Sequence, residues 1–460
     1  MADSIQVQWF TPGVGVVDWS KLPDVGAVTL LACAFASVAR HNHTPASKLW
    51  LTAWAMIAFH FVASMFLPVP GIWGTIALFI TLVSLTWAGE LFMWAAVPYR
   101  QQRSSSIMVA LLIAVNTLYI GLSIAGPAIG WALAPVAVLF CVCPLIITLF
   151  SMSRFNHILR WATVLLRSSL ALFLLVVQHR PGDGTNLALN AVLFTVFFGC
   201  ALHFLYMYRR ATAGAFITIA GFVAWSAVFV VAPVIGVLWP QLQIESEVWN
   251  LPKYVVAVGM ILLLLENQIE HNKYLALHDE LTGLPNRRLF QDRLASALER
   301  ARRSGAQTAL LLVDLNRFKQ VNDTLGHHAG DLLLQHVAIV FAGRVRRSDT
   351  VARTGGDEFS LILEEPTNRA EADRVGQSLL QLLEQPINLG DHVVQVGASI
   401  GISIFPEDGL DMESLCIAAD RRMYDEKQGG SALNGRAAEP LASASASPEQ
   451  QSGTGLQTAQ

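Results

Sequence analysis

Long apolar runs dominate the first 265 positions of this 460-residue chain. Runs suited to crossing about 30 Å of hydrocarbon fall near 24–39, 49–67, 71–98, 106–126, 128–150, 159–178, 186–208, 214–240 and 251–266. They predict an all-α polytopic membrane domain over 1–265, with about nine transmembrane helices. The ninth run does not stop at the bilayer. Leu262, Leu265, Ile269, Asn272 and Ala276 keep a 3–4 spacing through polar neighbours, which predicts a coiled-coil-like signalling helix over 266–280.

From there the pattern changes. Thr308 to Val313 is a short apolar strand ending at Asp314, and an amphipathic helix with Leu332, Leu333, Val337 and Val340 follows. Strands at 350–353 and 359–363 flank Gly355-Gly356-Asp357-Glu358 and predict a hairpin. A helix over 369–384, a strand over 393–404 and a helix over 412–427 complete the series. This order predicts an α/β domain with a ferredoxin-like split βαβ arrangement and extra elements. Residues 437–460 are Ala, Ser, Gln, Gly and Pro without apolar period, and predict a disordered tail.

Charge follows the same division. Up to Leu265 there are 12 Lys/Arg and 7 Asp/Glu; the remaining 195 residues hold 19 and 27. The second part has the roughly 25% charged content of a soluble domain. Its net charge of −8 excludes bulk nucleic-acid binding, which needs a basic face. In the first part, loops carrying Arg40 and Lys48, Arg100 and Arg103, Arg154 and Arg160, and Arg209 and Arg210 alternate with loops almost free of basic residues. The positive-inside rule then places the N-terminus outside and the C-terminal half in the cytoplasm. Nine crossings satisfy both ends and eight do not. The acidic, Trp-containing start predicts no cleaved signal peptide. Cys33, Cys141, Cys143, Cys200 and Cys416 have no metal-ligand spacing and read as reduced packing residues.

Polar residues inside apolar runs are candidates for function. Glu90 is the strongest, as a ligand site or a helix-pairing group. His60 and His203 read as partners of neighbouring helices. Arg167, seven residues after Arg160, is expected to snorkel to the cytoplasmic interface.

Chemistry concentrates in the soluble part. A strand ending in Asp314 beside a hairpin bearing Asp357 and Glu358 brings hard oxygens together, as Mg²⁺ requires, with waters and substrate phosphates completing the shell. Gly355 and Gly356 let backbone approach a nucleotide. An acidic hairpin alone is more often a solvated turn, so the wider pattern decides. Gly355-Gly356-Asp357-Glu358-Phe359 resembles the signature of the GGDEF family, the diguanylate cyclases. So do Asp279-Glu280-Leu281-Thr282-Gly283-Leu284-Pro285-Asn286-Arg287-Arg288, the run from Asp314 to Lys319 with Asn322-Asp323, Gly326-His327 and Gly330-Asp331, and the closing Ser399-Ile400-Gly401, Ala419-Asp420, Tyr424 and Lys427. The resemblance covers about 278–432, within a domain bounded at 278–436; the membrane part resembles no assigned sensor family.

The resemblance implies a nucleotidyl cyclase palm with an antiparallel-containing sheet that joins two GTP into cyclic di-GMP, releasing two pyrophosphates. It implies Mg²⁺ or Mn²⁺, two per site, held by Asp314, the Leu315 carbonyl, Asp357 and Glu358, with Asp357 and Glu358 catalytic. Asn322 and Asp331 would read guanine, His327 and Phe318 would line the pocket with Gly355 and Gly356, and Lys319 and Lys427 would meet phosphates. Each domain supplies half a reaction centre, so a homodimer is implied. Arg346 and Asp349 match an R-x-x-D motif at which product inhibits. Two departures stand out: Ser431 replaces the usual phosphate-facing arginine, for which Arg436 is the nearest substitute, and Arg422 replaces a small residue on an expected solvated face. The implied protein is a multi-pass enzyme of the bacterial inner membrane. The alternative is a weak or inactive domain that relays bound GTP or cyclic di-GMP. A transporter with a regulatory appendage lacks the expected repeats, and no phosphodiesterase domain is expected after the tail.

Overall fold

The computed structural model describes residues 17–40, 45–96, 103–126, 131–150, 157–177, 184–208, 212–242, 244–365, 368–390 and 392–433. The expected tail lies outside them, as do Arg100, Arg154, Arg180, Arg209, Arg210 and Arg436. The chain divides into two compact units, Met1–Glu270 and His271–Gln460.

Among the described residues the first unit is helical: α1 (Leu22–Arg40), α2 (Pro45–Ser64), α3 (Ile72–Ala95), α4 (Arg103–Ala125), α5 (Leu133–Phe150), α6 (His157–Val177), α7 (Gly184–Met207), α8 (Ala213–Leu238) and α9 (Ser246–Leu277). Each apolar run falls in one of these. Eight are long and apolar enough to cross a membrane; the described apolar stretch of α5, Leu133–Ile146, is shorter. Small residues let helices approach closely. A Cβ on Gly259 would come within 2.6 Å of the Thr218 backbone, and one on Gly214 within 2.6 Å of the Leu263 nitrogen, so α8 and α9 pack nearly backbone to backbone. Aromatic rings fill the centre, with Phe197 stacked on Trp225 at 3.9 Å.

The structure corrects the reading of Arg167. Its guanidinium does not snorkel: it is 1% exposed and forms an ion pair with Glu90, itself fully buried. Seven residues are two helical turns, about 10 Å along the axis, so Arg167 shares the face of Arg160 but lies deeper. That face is buried at both positions. Asn116 Nδ2 donates to the same Glu90 oxygen at 2.9 Å, so Glu90 pairs helices. The His60 ring bonds the Thr81 carbonyl on α3 through Nδ1 at 2.8 Å. His203 bonds its own helix at Gly199.

In the second unit, α10 (Arg287–Ser304) precedes β1 (Thr308–Asn316), α11 (Phe318–Leu325) and α12 (His327–Arg344). The hairpin β2 (Thr350–Arg353) and β3 (Glu358–Glu364) follows, then α13 (Arg369–Leu383), β4 (Ile387–Asn388), β5 (Val393–Val394), β6 (Gly397–Phe405) and α14 (Met412–Leu433). The main sheet has the order β2-β3-β1-β6, with antiparallel neighbours throughout. The antiparallel α/β expectation holds. The strand expected over 393–404 is two strands: β5 pairs with β4 in a separate ribbon, and β6 joins the main sheet. Helix α10 is additional, capped by the Asn286 side chain and closed by Gly305 at φ 72°.

Alternation along β1 sorts the core. Ala309, Leu311, Val313 and Leu315 pack with α12 and α13 residues such as Leu333, Phe341 and Leu379. Leu310 faces the other way, among Phe290 and Leu294 of α10 and Leu415 and Ala419 of α14. Asp314 continues that second face.

Candidate active site

Strand register brings the acidic residues together. Asp314 stands opposite Glu358 in the β1–β3 ladder, so both side chains leave the same face. One position on, the Leu315 N–H donates to the Asp357 carbonyl at 3.2 Å. The hairpin bearing Asp357 is thus fastened to the end of the central strand. Helix α14 covers this face and supplies a cation: Lys427 Nζ lies 2.7 Å from Asp314 Oδ1. That bond holds the ammonium above the ordinary lysine range despite partial burial, and the charges of Asp314, Asp357 and Glu358 add to it. One lysine therefore senses all three acids.

Close packing explains where α14 lies. A Cβ on Gly401 of β6 would come within 1.9 Å of the Ala419 carbonyl, so only glycine admits the helix at this distance. Ser399 Oγ donates to Asn316 Oδ1 at 3.1 Å, and the Ile400 N–H donates to Glu426 Oε2 at 2.6 Å. The Ser-Ile-Gly and Ala-Asp motifs thereby position Lys427.

The turn itself is tightly wired. Thr354 and Gly355 N–H groups donate to the Glu358 carbonyl at 3.0 and 3.3 Å. The Glu358 carboxylate folds over Gly355, where a Cβ would meet Oε2 at 2.5 Å. Arg353 holds the Gly356 carbonyl through Nε at 3.1 Å and Nη2 at 2.8 Å. Its Nη1 bonds both oxygens of Asp279, at 3.0 and 3.1 Å. Burial pushes the Asp279 carboxyl up, but bonds from Thr282 and Arg353 outweigh it and leave the group below its usual range. Arg353 was not among the residues singled out from the sequence.

A second group forms across α11 and α12. Arg317, in the left-handed region at φ 61°, turns the chain from β1 into α11 within two residues of Leu315. Asn322 then packs against Gly330, where a Cβ would come within 1.9 Å of its Oδ1 and 3.3 Å of Phe318 Cζ. Phe318, Asn322 and the start of α12 meet there, with Asp331 the next residue and exposed. His327 and Lys319 are exposed on the same two helices.

Arg346 and Asp349 stand apart from these groups. Arg346 Nη2 pairs with Glu371 Oε1 at 2.8 Å and is 67% exposed. The Asp349 carboxylate accepts from the backbone amides of Arg346, at 2.9 Å, and Glu364, at 3.1 Å. Arg422 is 43% exposed, on a solvated face as expected, and there it grips both oxygens of Asp408 at 2.7 and 2.6 Å. Nothing is described of the Ser431 side chain.

A metal ion fits the donors only with outside help. Among the described residues no three His, Cys, Asp or Glu side chains are grouped to hold an ion unaided. The Asp314 carboxylate already draws an ammonium to 2.7 Å, with two further acids near it. Hard oxygens completed by water and phosphate are the habit of Mg²⁺.

Residues 276–432 match the family described as diguanylate cyclase, GGDEF domain. The chain is 40% identical over 212 residues to the bifunctional diguanylate cyclase/cyclic di-GMP phosphodiesterase MucR of Pseudomonas aeruginosa, covering 41% of this chain and 30% of that one. It is 42% identical over 154 residues to the diguanylate cyclase TpbB of the same species, covering 33% and 35%. Thus it spans about a third of the length of these curated relatives. A solved TpbB fragment comprising only the GGDEF domain shares 41% identity, covers 33% of this chain and 89% of that one, and has a TM-score of 0.33.

Proposed function

Because residues 276–432 belong to the GGDEF family of diguanylate cyclases, we propose that this chain is a membrane-anchored enzyme that converts two GTP into cyclic di-GMP and two pyrophosphates. The observation that carries the reading is the register of Asp314 opposite Glu358, with Asp357 pinned to the end of the same strand.

Asn322 and Asp331 bind the guanine edge, the amide serving its acceptor and the carboxylate its donors. Phe318 and His327 border the base, and the bare backbone of Gly355 and Gly356 lets the phosphates approach. Lys319 and Lys427 draw the triphosphate by charge. Asp357 takes the proton from the attacking 3′-hydroxyl. Asp314, the Leu315 carbonyl, Asp357 and Glu358 would hold Mg²⁺ or Mn²⁺, two per site. When bound, these ions offset charge on the phosphoryl oxygens.

One domain holds one GTP, so two copies must face each other for the hydroxyl of one substrate to reach the α-phosphate of the other. The exposed apolar positions Leu265 and Ile269, one turn apart on α9, are available for parallel pairing of two copies. The helices of the first unit anchor the chain in the bacterial inner membrane, with the N-terminus outside and the cyclase domain cytoplasmic. Arg346 and Asp349 bind product and restrain turnover. Ser431, in place of a cation, favours slower turnover, and in the extreme a domain that only relays bound nucleotide.

The deciding experiment incubates the purified full chain with Mg²⁺ and GTP beside Asp357→Ala. The parent is expected to make cyclic di-GMP and the variant none. Equal yields remove Asp357 from the mechanism, and no product from a dimeric, GTP-bound parent leaves the relay.

A further inference from the structure

Within the first unit lies a cavity of about 100 Å³ whose wall is drawn from the residues before α1 and from α2, α3, α7, α8 and α9. Two of its lining side chains are lysines, Lys21 and Lys253, only 7% and 8% exposed. Among the described residues no Asp or Glu lines it. Apolar side chains including Leu82, Leu85 and Leu193 line it too, together with the polar His60, Thr81 and Asn190.

Lys253 is held in place from behind. Its Nζ donates to Asn250 Oδ1 at 2.6 Å, and Asn250 Nδ2 donates to Asp24 Oδ2 at 2.9 Å. The Tyr254 hydroxyl donates to the other Asp24 oxygen at 2.8 Å. The carboxylate is thus one residue removed from the ammonium, behind the wall. The ammonium also stands 4.5 Å from the centre of the Phe61 ring and 5.9 Å from that of Trp225. An ammonium has three N–H donors, and the bond to Asn250 uses one. A buried cation beside a ring-lined space is costly unless an anion answers it. Cation and hydrocarbon lining the same space define an amphipathic anion, and the space of about 100 Å³ suits a small one.

We propose that this cavity binds a small organic carboxylate, with its carboxylate on Lys253 and its apolar body against Phe61 and Trp225. The proposal rests on the membrane orientation given above, which places the start of α1, the end of α2 and the first turns of α7 and α9 on the extracytoplasmic side. The ligand enters from there and is the input of the cyclase. Helix α9 carries both Lys253 and the exposed Leu265 and Ile269, so the ligand contacts the helix proposed to pair two copies.

The test uses the full chain in lipid nanodiscs without nucleotide, titrating benzoate by calorimetry and by tryptophan fluorescence, with benzyl alcohol and benzylamine as neutral and cationic counterparts. Benzoate is expected to bind saturably, the alcohol roughly tenfold or more weaker, and the amine not at all. Lys253→Gln is expected to weaken benzoate roughly tenfold, and Lys253→Arg to keep most of the affinity. No saturable benzoate binding, equal affinity for all three probes, or parent-like binding by Lys253→Gln overturns the proposal. If Lys253→Gln does not fold, the charge series on the parent decides alone. Binding needs no GTP turnover, so an inactive cyclase that binds benzoate overturns the enzymatic reading and leaves this one. An active cyclase that ignores benzoate does the reverse.

Discussion

Arg353 couples Asp279 to the turn that carries the acids: one edge of its guanidinium bonds the Asp279 carboxylate while Nε and Nη2 hold the Gly356 carbonyl. Asp279 lies 74 positions away and is itself fixed by Thr282. The side chain is 13% exposed, so little water competes for these bonds. The segment after α9 and the turn proposed as catalytic therefore share one cation.

Loosening that cation is expected to disturb catalysis more than binding. Arg353→Lys keeps the charge but loses the planar fork that serves two acceptors at once. We expect kcat to fall roughly 10- to 100-fold, with KM for GTP changed by less than about threefold. Steady-state kinetics check this. A variant whose KM rises while kcat stays level would show that Arg353 serves the nucleotide and not the turn.

Gly330→Ala probes the guanine reading. The new methyl would collide with Asn322 Oδ1, the far end of a side chain that can swing away, so the fold should survive. Alanine also suits a helix interior better than glycine. The displaced amide no longer meets the base, and GTP affinity is expected to drop roughly tenfold, the value of one good hydrogen bond. Asn322→Ala should give a similar loss, and the double variant little more. Additive losses would mean that the two positions act separately.

These relationships divide into those legible in the chain and those that are not. Asp314 and Glu358 were readable because a short hairpin sets the register of β3, and an apolar strand ending in an acid marks the end of β1. Lys427 was legible only by resemblance: 113 positions separate it from Asp314, and tertiary contacts such as Gly401–Ala419 and Ile400–Glu426 bring it there. Arg353 carried no signal, since an arginine ending an edge strand reads as solvated. In the membrane part, period and charge mark the helices, but which face of α6 looks inward depends on Glu90 in another helix. Asp24 and Lys253 illustrate the same limit, because each lies near the end of an apolar run and their meeting through Asn250 is tertiary.

The proposed product site is held in a competing contact. Arg346 must leave Glu371 before it can grip a guanine, whereas Asp349, fixed by two main-chain amides, needs no such move and keeps acceptor capacity for the base. The ion pair is exposed on the arginine side and worth about 1 kcal/mol or less. Glu371→Ala is therefore expected to tighten product inhibition by roughly two- to fivefold without altering the uninhibited rate. Arg346→Ala should abolish inhibition. Inhibition curves for cyclic di-GMP on the three proteins distinguish these outcomes, and an unchanged Ki in Glu371→Ala would remove the competing role from that carboxylate.

A pH test falls on Asp408, where Arg422 gives this domain an ion-pair cluster. Asp408 is 11% exposed, bonds Arg422 and Arg369, and accepts the Ile404 amide at 2.7 Å. The Arg422 bonds come first in holding its carboxyl well below the usual range, against the opposing effect of burial. A depressed carboxyl stabilises the fold fully above its unfolded pKa of about 3.9. The contribution is lost as pH falls through the lower folded value. Asp408→Asn should therefore cost about 1–2 kcal/mol at pH 7, allowing for screening of the half-exposed arginines. The gap should narrow as pH falls below about 4, where the unfolded parent takes up a proton that the folded one still excludes, and close as the folded carboxyl itself protonates. Amide hydrogen exchange along β1 and β6, compared at neutral and acid pH, reads this directly. A gap that stays constant or widens on acidification would show that Asp408 acts by shape rather than by charge.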